Sequence, residues 1–312
     1  MLKSLPLHFC RHCVLLCICL CISKISFAQT DADALMITKN YYCAGLTYNY
    51  SSWTNYWEGT FKRDNQNIGK LSTNTYAMIG NYGITNKLNV LFTAPYVTTN
   101  ASAGTLKGQS GLQDLMIALK WQAFKQAIGK GNLSFFAVLS SSLPLSNYEA
   151  DFQPMSIGLQ SKSVMFRGIL NYKYNHVFVT GSGQYIQKSD ITIDRNSYYT
   201  TQQVYSNQVY MPNSNNIMFN AGYQDKKIYA AAMIEQSTTL GGFDIRKNDM
   251  PFPSNRMNMT MAGAMAKYSF NPVSGLELLA GGNYVLAGRN VGQTTSLYGG
   301  VLYLFNTSKK SK

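Results

Sequence analysis

Catalysis at neutral pH needs a nucleophile, a base or a metal cradle, and this chain has few residues to build one. Two of its three histidines, His8 and His12, lie in the first 28 residues, which leaves His176. Five of its six cysteines (Cys10, Cys13, Cys17, Cys19 and Cys21) lie in the same stretch, which leaves Cys43. A Ser–His or Cys–His pair would have to use His176, and a turn histidine is the plainer reading of it. Neither residue has the companions that a metal site requires. Gly281-Gly282 falls inside an apolar segment and reads as close strand packing, not as a phosphate loop. No enzyme activity, metal or cofactor is expected.

Charged residues that could sort solutes are better represented. Asp114, Lys120, Arg167, Lys173, Glu235, Arg256, Glu277 and Arg289 belong to the presumed inner faces of alternating segments. Around an enclosed lumen, such charges bridge across it and fix its shape, or set which solutes pass. Trp53, Trp57, Tyr198 and Tyr199 fall in connecting stretches, where aromatic rings could capture a hydrophobic solute.

The elements that must hold these residues are typified by Gly111–Phe124, GLQDLMIALKWQAF. Leu115, Ile117, Leu119 and Trp121 share one parity, while Asp114, Lys120 and Gln122 share the other. A helix would scatter the charges around its circumference, whereas a strand puts alternate side chains on one face. Strands of soluble sandwiches run about five or six residues, and strands crossing an outer membrane about nine to eleven. Twelve such segments are expected, near residues 39–50, 71–82, 87–98, 111–123, 132–143, 160–174, 176–187, 215–225, 227–237, 256–270, 275–288 and 294–305. In 160–174, Val164, Phe166, Leu170 and Tyr172 oppose Ser161, Ser163, Arg167, Asn171 and Lys173.

Connections after the even-numbered segments are short and carry turn chemistry, such as Gly129-Lys130-Gly131 and Asn271-Pro272. Those after segments one, three, five, seven and nine are long, and Arg289–Gln293 is the exception. A barrel with one periplasmic and one extracellular rim sorts its loops this way. Closure also removes the unpaired edges that a bilayer would penalise. Tyr41, Tyr42, Tyr82, Tyr96, Trp121, Tyr174 and Tyr303 are placed as interfacial girdle residues. The methionines 257, 259, 261 and 265 form a stripe on one face, expected to meet lipid; a greasy ligand track is the alternative.

Residues 1–28 read as a secretory signal. Lys3 and Arg11 supply charge, Cys13–Ile22 is a short apolar core, and Ser26-Phe27-Ala28 offers a cleavage site. Three of the 27 basic residues (Lys3, Arg11, Lys24) and no acidic ones leave with it, so 24 basic residues face 14 acidic ones and the charge falls from +13 to +10. Export and the dispersal of the basic residues argue against nucleic acid. No later stretch has the 18 consecutive apolar residues of a transmembrane helix.

Further detail comes from short motifs. Tyr82-Gly83-Ile84-Thr85-Asn86-Lys87-Leu88, Pro95-Tyr96, Ser110-Gly111-Leu112-Gln113-Asp114-Leu115 with Lys120-Trp121, and Leu143-Pro144 stand in one order along the chain. In these the chain resembles the outer-membrane proteins named for the meta-pathway of phenol degradation, which are similar to long-chain fatty-acid and hydrocarbon channels. The resemblance implies passage of small hydrophobic or aromatic compounds.

The expected architecture is therefore all-β: a transmembrane antiparallel barrel of about twelve strands in the outer membrane of a Gram-negative cell, spanning 29–305, with a polar tail over 306–312. The periplasmic turns are short and the extracellular loops long. A twelve-strand lumen is narrow, and it is expected to be obstructed by Gln29–Asn40 or by an infolded loop. Expected partners are outer-membrane lipid, the barrel-assembly machinery and a small hydrophobic or aromatic solute. The alternatives are a non-transport barrel that displays its loops and a soluble secreted β-protein.

Overall fold

A computed structural model describes residues 29–247, 249–270 and 273–307. The expected signal segment, 1–28, and residues 308–312 of the tail lie outside them.

Alternation of apolar and polar side chains is realised as twelve long strands: β1 (Tyr41–Trp53), β2 (Leu71–Gly83), β3 (Leu88–Ala101), β4 (Asp114–Ile128), β5 (Gly131–Pro144), β6 (Ser163–Tyr174), β7 (Val177–Lys188), β8 (Ser214–Gln224), β9 (Ile228–Thr239), β10 (Asn258–Ser269), β11 (Leu276–Arg289) and β12 (Thr295–Asn306). Each pairs antiparallel with its neighbours in sequence. The ladder closes where β1 meets β12, from Tyr41 opposite Asn306 to Ser52 opposite Thr295. A short strand, Ser110–Leu112, continues the β3–β4 edge. No sheet edge is left to the bilayer, as a hydrocarbon solvent demands. No helix among the described residues is long and apolar enough to cross a membrane, and the strands make the crossing.

Parity decides which side chains meet lipid. On β4, Ile117, Leu119 and Trp121 point outward and are exposed, while Ala118 and Lys120 are buried inside. Phe166 and Leu170 on β6, Val179 on β7, and Ile217 and Phe219 on β8 extend the same outer belt.

The turns at one rim are tight. Gly129 and Asn175 take positive φ, and Asp225 accepts hydrogen bonds from the backbone N–H groups of Lys227 and Ile228. Loops at the other rim are long, except for 290–294 after β11. Three of them share a small core in which Ile191, Ile193, Tyr198, Val209, Met211 and Phe252 are buried together with Ala150.

Two expectations of side-chain direction are corrected. Tyr41 is not at the lipid interface: it is buried inside against Ile37 and Leu304. The methionine stripe of β10 faces the lumen, because Met265 packs on Leu35, Phe178, Tyr229 and Ala231, and Lys267 on the same parity is buried. Between them, Ala264, Ala266 and Tyr268 form the outward face of β10. The outer face of this strand is built mainly of alanine, so the bulkier inner face looks like the lipid face in sequence.

Candidate functional site

The lumen is crossed at its periplasmic end by residues 29–40, the stretch that leads into β1. Thr30-Asp31-Ala32-Asp33 supplies small and polar residues for a tight turn. The Thr30 N–H donates to Asp33 Oδ2, the Asp33 N–H to Thr30 Oγ1, and the Leu35 N–H to Asp33 Oδ1. That turn presents Asp33 to two wall lysines. Lys120 Nζ lies 2.9 Å from Asp33 Oδ1 and Lys267 Nζ 3.1 Å from Oδ2, and all three side chains are almost wholly buried. Lys120 also donates to the carbonyls of Thr30 and Asp33. The aromatic faces of Phe136 and Tyr229 lie near the Lys120 and Lys267 ammonium groups, at 5.7 Å and 5.4 Å from the ring centres. A buried ion cluster holds its charges only while every member is matched.

The rest of the segment is held by amide and apolar contacts. Asn81 Nδ2 donates to the Gln29 carbonyl and Asn89 Nδ2 to the Ile37 carbonyl. Leu35 packs toward β7, β9 and β10, while Ala34 and Met36 pack toward Leu91, Ala118, Phe136, Val138 and Ile169. Ile37, with no exposed surface, fits between Cys43, Leu302 and Leu304 at the junction of first and last strands. Arg167 reaches Asp31 at 3.5 Å and donates to Gln184 Oε1 at 2.8 Å. A cavity of about 450 Å³ remains beside the segment at the periplasmic mouth, with Lys125, Lys173 and Lys226 in its lining.

The eight charges singled out in the sequence divide in two. Asp114, Lys120, Arg167, Lys173, Glu235 and Glu277 point inward. Asp114 accepts a 2.6 Å hydrogen bond from the Tyr148 hydroxyl, Lys173 donates to Gln224, and Glu277 accepts from Ser269. Glu235 accepts from Asn216 Nδ2. Arg256 and Arg289 belong to the extracellular rim instead. There Arg289 forms a bidentate pair with Asp244, and Asn290 donates to both Asp244 and the Arg256 carbonyl. The Arg289 hydrogen bonds hold the exposed Asp244 carboxyl down at about 2, so this clasp stays ionised in mildly acidic medium.

Of the loop aromatics, Trp57 and Tyr198 are buried in loop packing, Trp57 against Gly288 and Tyr198 stacked on Phe252. Trp53 is not in a loop: it ends β1, opposite Leu71, and lines a surface cavity of about 260 Å³. Tyr199 lines one of about 440 Å³, beneath the Arg246 guanidinium at 3.8 Å.

Sequence reasoning missed Asp31, Asp33 and Lys267. The lysine carried a signal, since it shares parity with Met261 and Met265. Assigning that parity to lipid concealed it.

No protein-family model matches the chain, and no curated protein does. Among solved structures it is similar to a COG4313 outer membrane channel from Pseudomonas putida F1, at 18% identity and a TM-score of 0.68, covering 89% of this chain and 100% of the other. The chain is an outer-membrane β-barrel. Lower likenesses include the translocator domain of the autotransporter NalP from Neisseria meningitidis, at 13% identity, TM-score 0.43, covering 96% of this chain and 98% of that one. A FadL homologue of Pseudomonas aeruginosa follows at 10% identity, TM-score 0.37, covering 86% and 90%.

Proposed function

We propose that this barrel is an outer-membrane channel for small hydrophobic or aromatic compounds, with residues 29–40 as its gate. The observation that carries the reading is a segment that lies inside the periplasmic end of the lumen without being part of the wall. It is joined to the wall by one ion cluster, a few amide hydrogen bonds and apolar contacts that a moving segment can exchange. Rings of Phe136, Phe178 and Tyr229 line its bed and would face an apolar solute once it moved. The motifs shared with the phenol meta-pathway proteins support the same solute class and membership of that family.

Liposomes carrying the protein are expected to pass a small neutral aromatic faster than empty ones, and a chain lacking 29–39 faster still. Equal rates in loaded and empty liposomes would remove the channel reading. The shared core of the loops, with Tyr198 stacked on Phe252, favours a second reading in which the barrel displays a fixed outer surface. Deleting 189–213 would then abolish partner binding and leave permeability as it was.

A further inference from the structure

Above the gate segment, the wall formed by β8, β9, β10 and β11 carries a group of side chains with no part in holding that segment. Two inward rows make it up. In one, Met218, Glu235 and Met261 stand side by side on adjacent strands. In the next, Asn220, Met233, Gly263 and Asn283 do so. Side chains directly opposite on paired strands lie about 5 Å apart, so both rows border one patch of the lumen. Glu235 is four residues along β9 from Ala231, which touches Leu35, or about 13 Å toward the extracellular side.

Three features of this patch point to a ligand. Glu235 has no ion-pair partner among the described residues, in contrast to Asp31 and Asp33, which have Arg167, Lys120 and Lys267. The amide oxygens of Asn216, Asn220 and Asn283 are buried without a hydrogen-bond partner. Asn216 and Asn220 are themselves only 9% and 8% exposed. Asn216 donates its Nδ2 to Glu235, which fixes the amide and leaves Oδ1 as the free acceptor. Gly263 makes room for the Asn283 amide, since a Cβ there would meet Asn283 Oδ1 at 2.0 Å. Buried acceptors that lack donors are costly, and a donor-bearing guest relieves that cost. The walls beside them are thioethers of Met218, Met233 and Met261, which are polarisable, apolar and adaptable in shape.

We infer that this patch is a binding site for a primary ammonium group on a small apolar or aromatic body. The three N–H donors of such a cation match a carboxylate and neighbouring amide oxygens, and its body matches the methionines. A quaternary ammonium would leave the acceptors unpaired, and a neutral alcohol would leave the carboxylate without its counter-charge. This narrows the solute class of the channel and rests on that reading only for access to the lumen. Binding to the solubilised barrel tests it without any membrane crossing, so failure of one leaves the other standing.

The experiment is a calorimetric titration of the whole protein in detergent with 2-phenylethylammonium, using 2-phenylethanol and benzyltrimethylammonium as matched probes. Wild type is expected to bind the primary amine at least tenfold more tightly than either match. E235Q should lose at least that factor for the amine and leave the alcohol unchanged. Met261→Lys, which sets an ammonium beside Glu235 within the chain, should abolish amine binding and keeps the carboxylate matched if E235Q fails to assemble. Absence of amine binding by wild type, or equal binding by wild type and either variant, would overturn the inference.

Discussion

Asp33 ties residues 29–40 to the barrel wall. Its carboxylate pairs with two buried lysines that approach from opposite parts of the wall, Lys120 on β4 and Lys267 on β10. Replacing it by asparagine keeps the shape and removes the charge. Both ammonium groups would then lose this carboxylate, and breaking a buried pair costs about 3–5 kcal/mol. The barrel ladders do not involve this residue, so the cost falls on docking of residues 29–40. D33N is expected to raise single-channel conductance in planar bilayers and to leave the unfolding temperature nearly unchanged. Conductance equal to that of wild type would show that the amide hydrogen bonds and apolar contacts hold the segment without this carboxylate.

At the scale of elements, the periplasmic turns set the register of each hairpin. Gly275, just before β11, has φ +89°, and a Cβ there would lie 2.1 Å from the Leu304 carbonyl oxygen. The Leu304 N–H donates to the Gly275 carbonyl in the same close approach. Gly275→Ala is expected to destabilise the β11–β12 end by about 1–3 kcal/mol. A lower temperature for the folded-to-unfolded band shift in a detergent gel would show it, and an unchanged transition would count against strain at this turn. Strand positions were legible because outer-membrane strands repeat with period two, and the expected ends fall within a few residues of those observed. Long and short connections were legible because turns need residues such as Asn175 and Gly129. Residues 29–40 were expected in the lumen, with an infolded loop as the alternative, but their contacts were not legible, since Thr30–Asn40 has no repeat and its partners are scattered over the whole sequence. The direction of β10 was misread because apolarity alone does not tell lumen from lipid: Met265 faces protein inside, and the alanines opposite it face outward.

For the whole molecule, the outer belt is the dominant physical fact. Leu46, Met78, Leu139, Phe166, Phe219 and Leu297 are each more than half exposed, and they are spread around the cylinder. A soluble secreted β-protein would bury such a set. The protein should therefore stay with the membrane pellet through alkaline carbonate and leave it only in detergent. Release by carbonate or high salt would contradict the spanning arrangement. The positive excess of the sequence is compatible with this placement, because Lys120, Lys267 and Arg167 are matched inside and the remaining charges lie mostly in turns and loops.

The bed of Ile37 bears on how the molecule is made. Its walls come from Cys43 near the start of the cylinder and from Leu302 and Leu304 near the finish. Nearby, Asn40 accepts two hydrogen bonds from Thr307. That niche does not exist until the opening and closing staves have met. The stopper is therefore seated last, and a chain arrested short of β12 would be a gaping half-pipe with a loose leading end, not a corked tube.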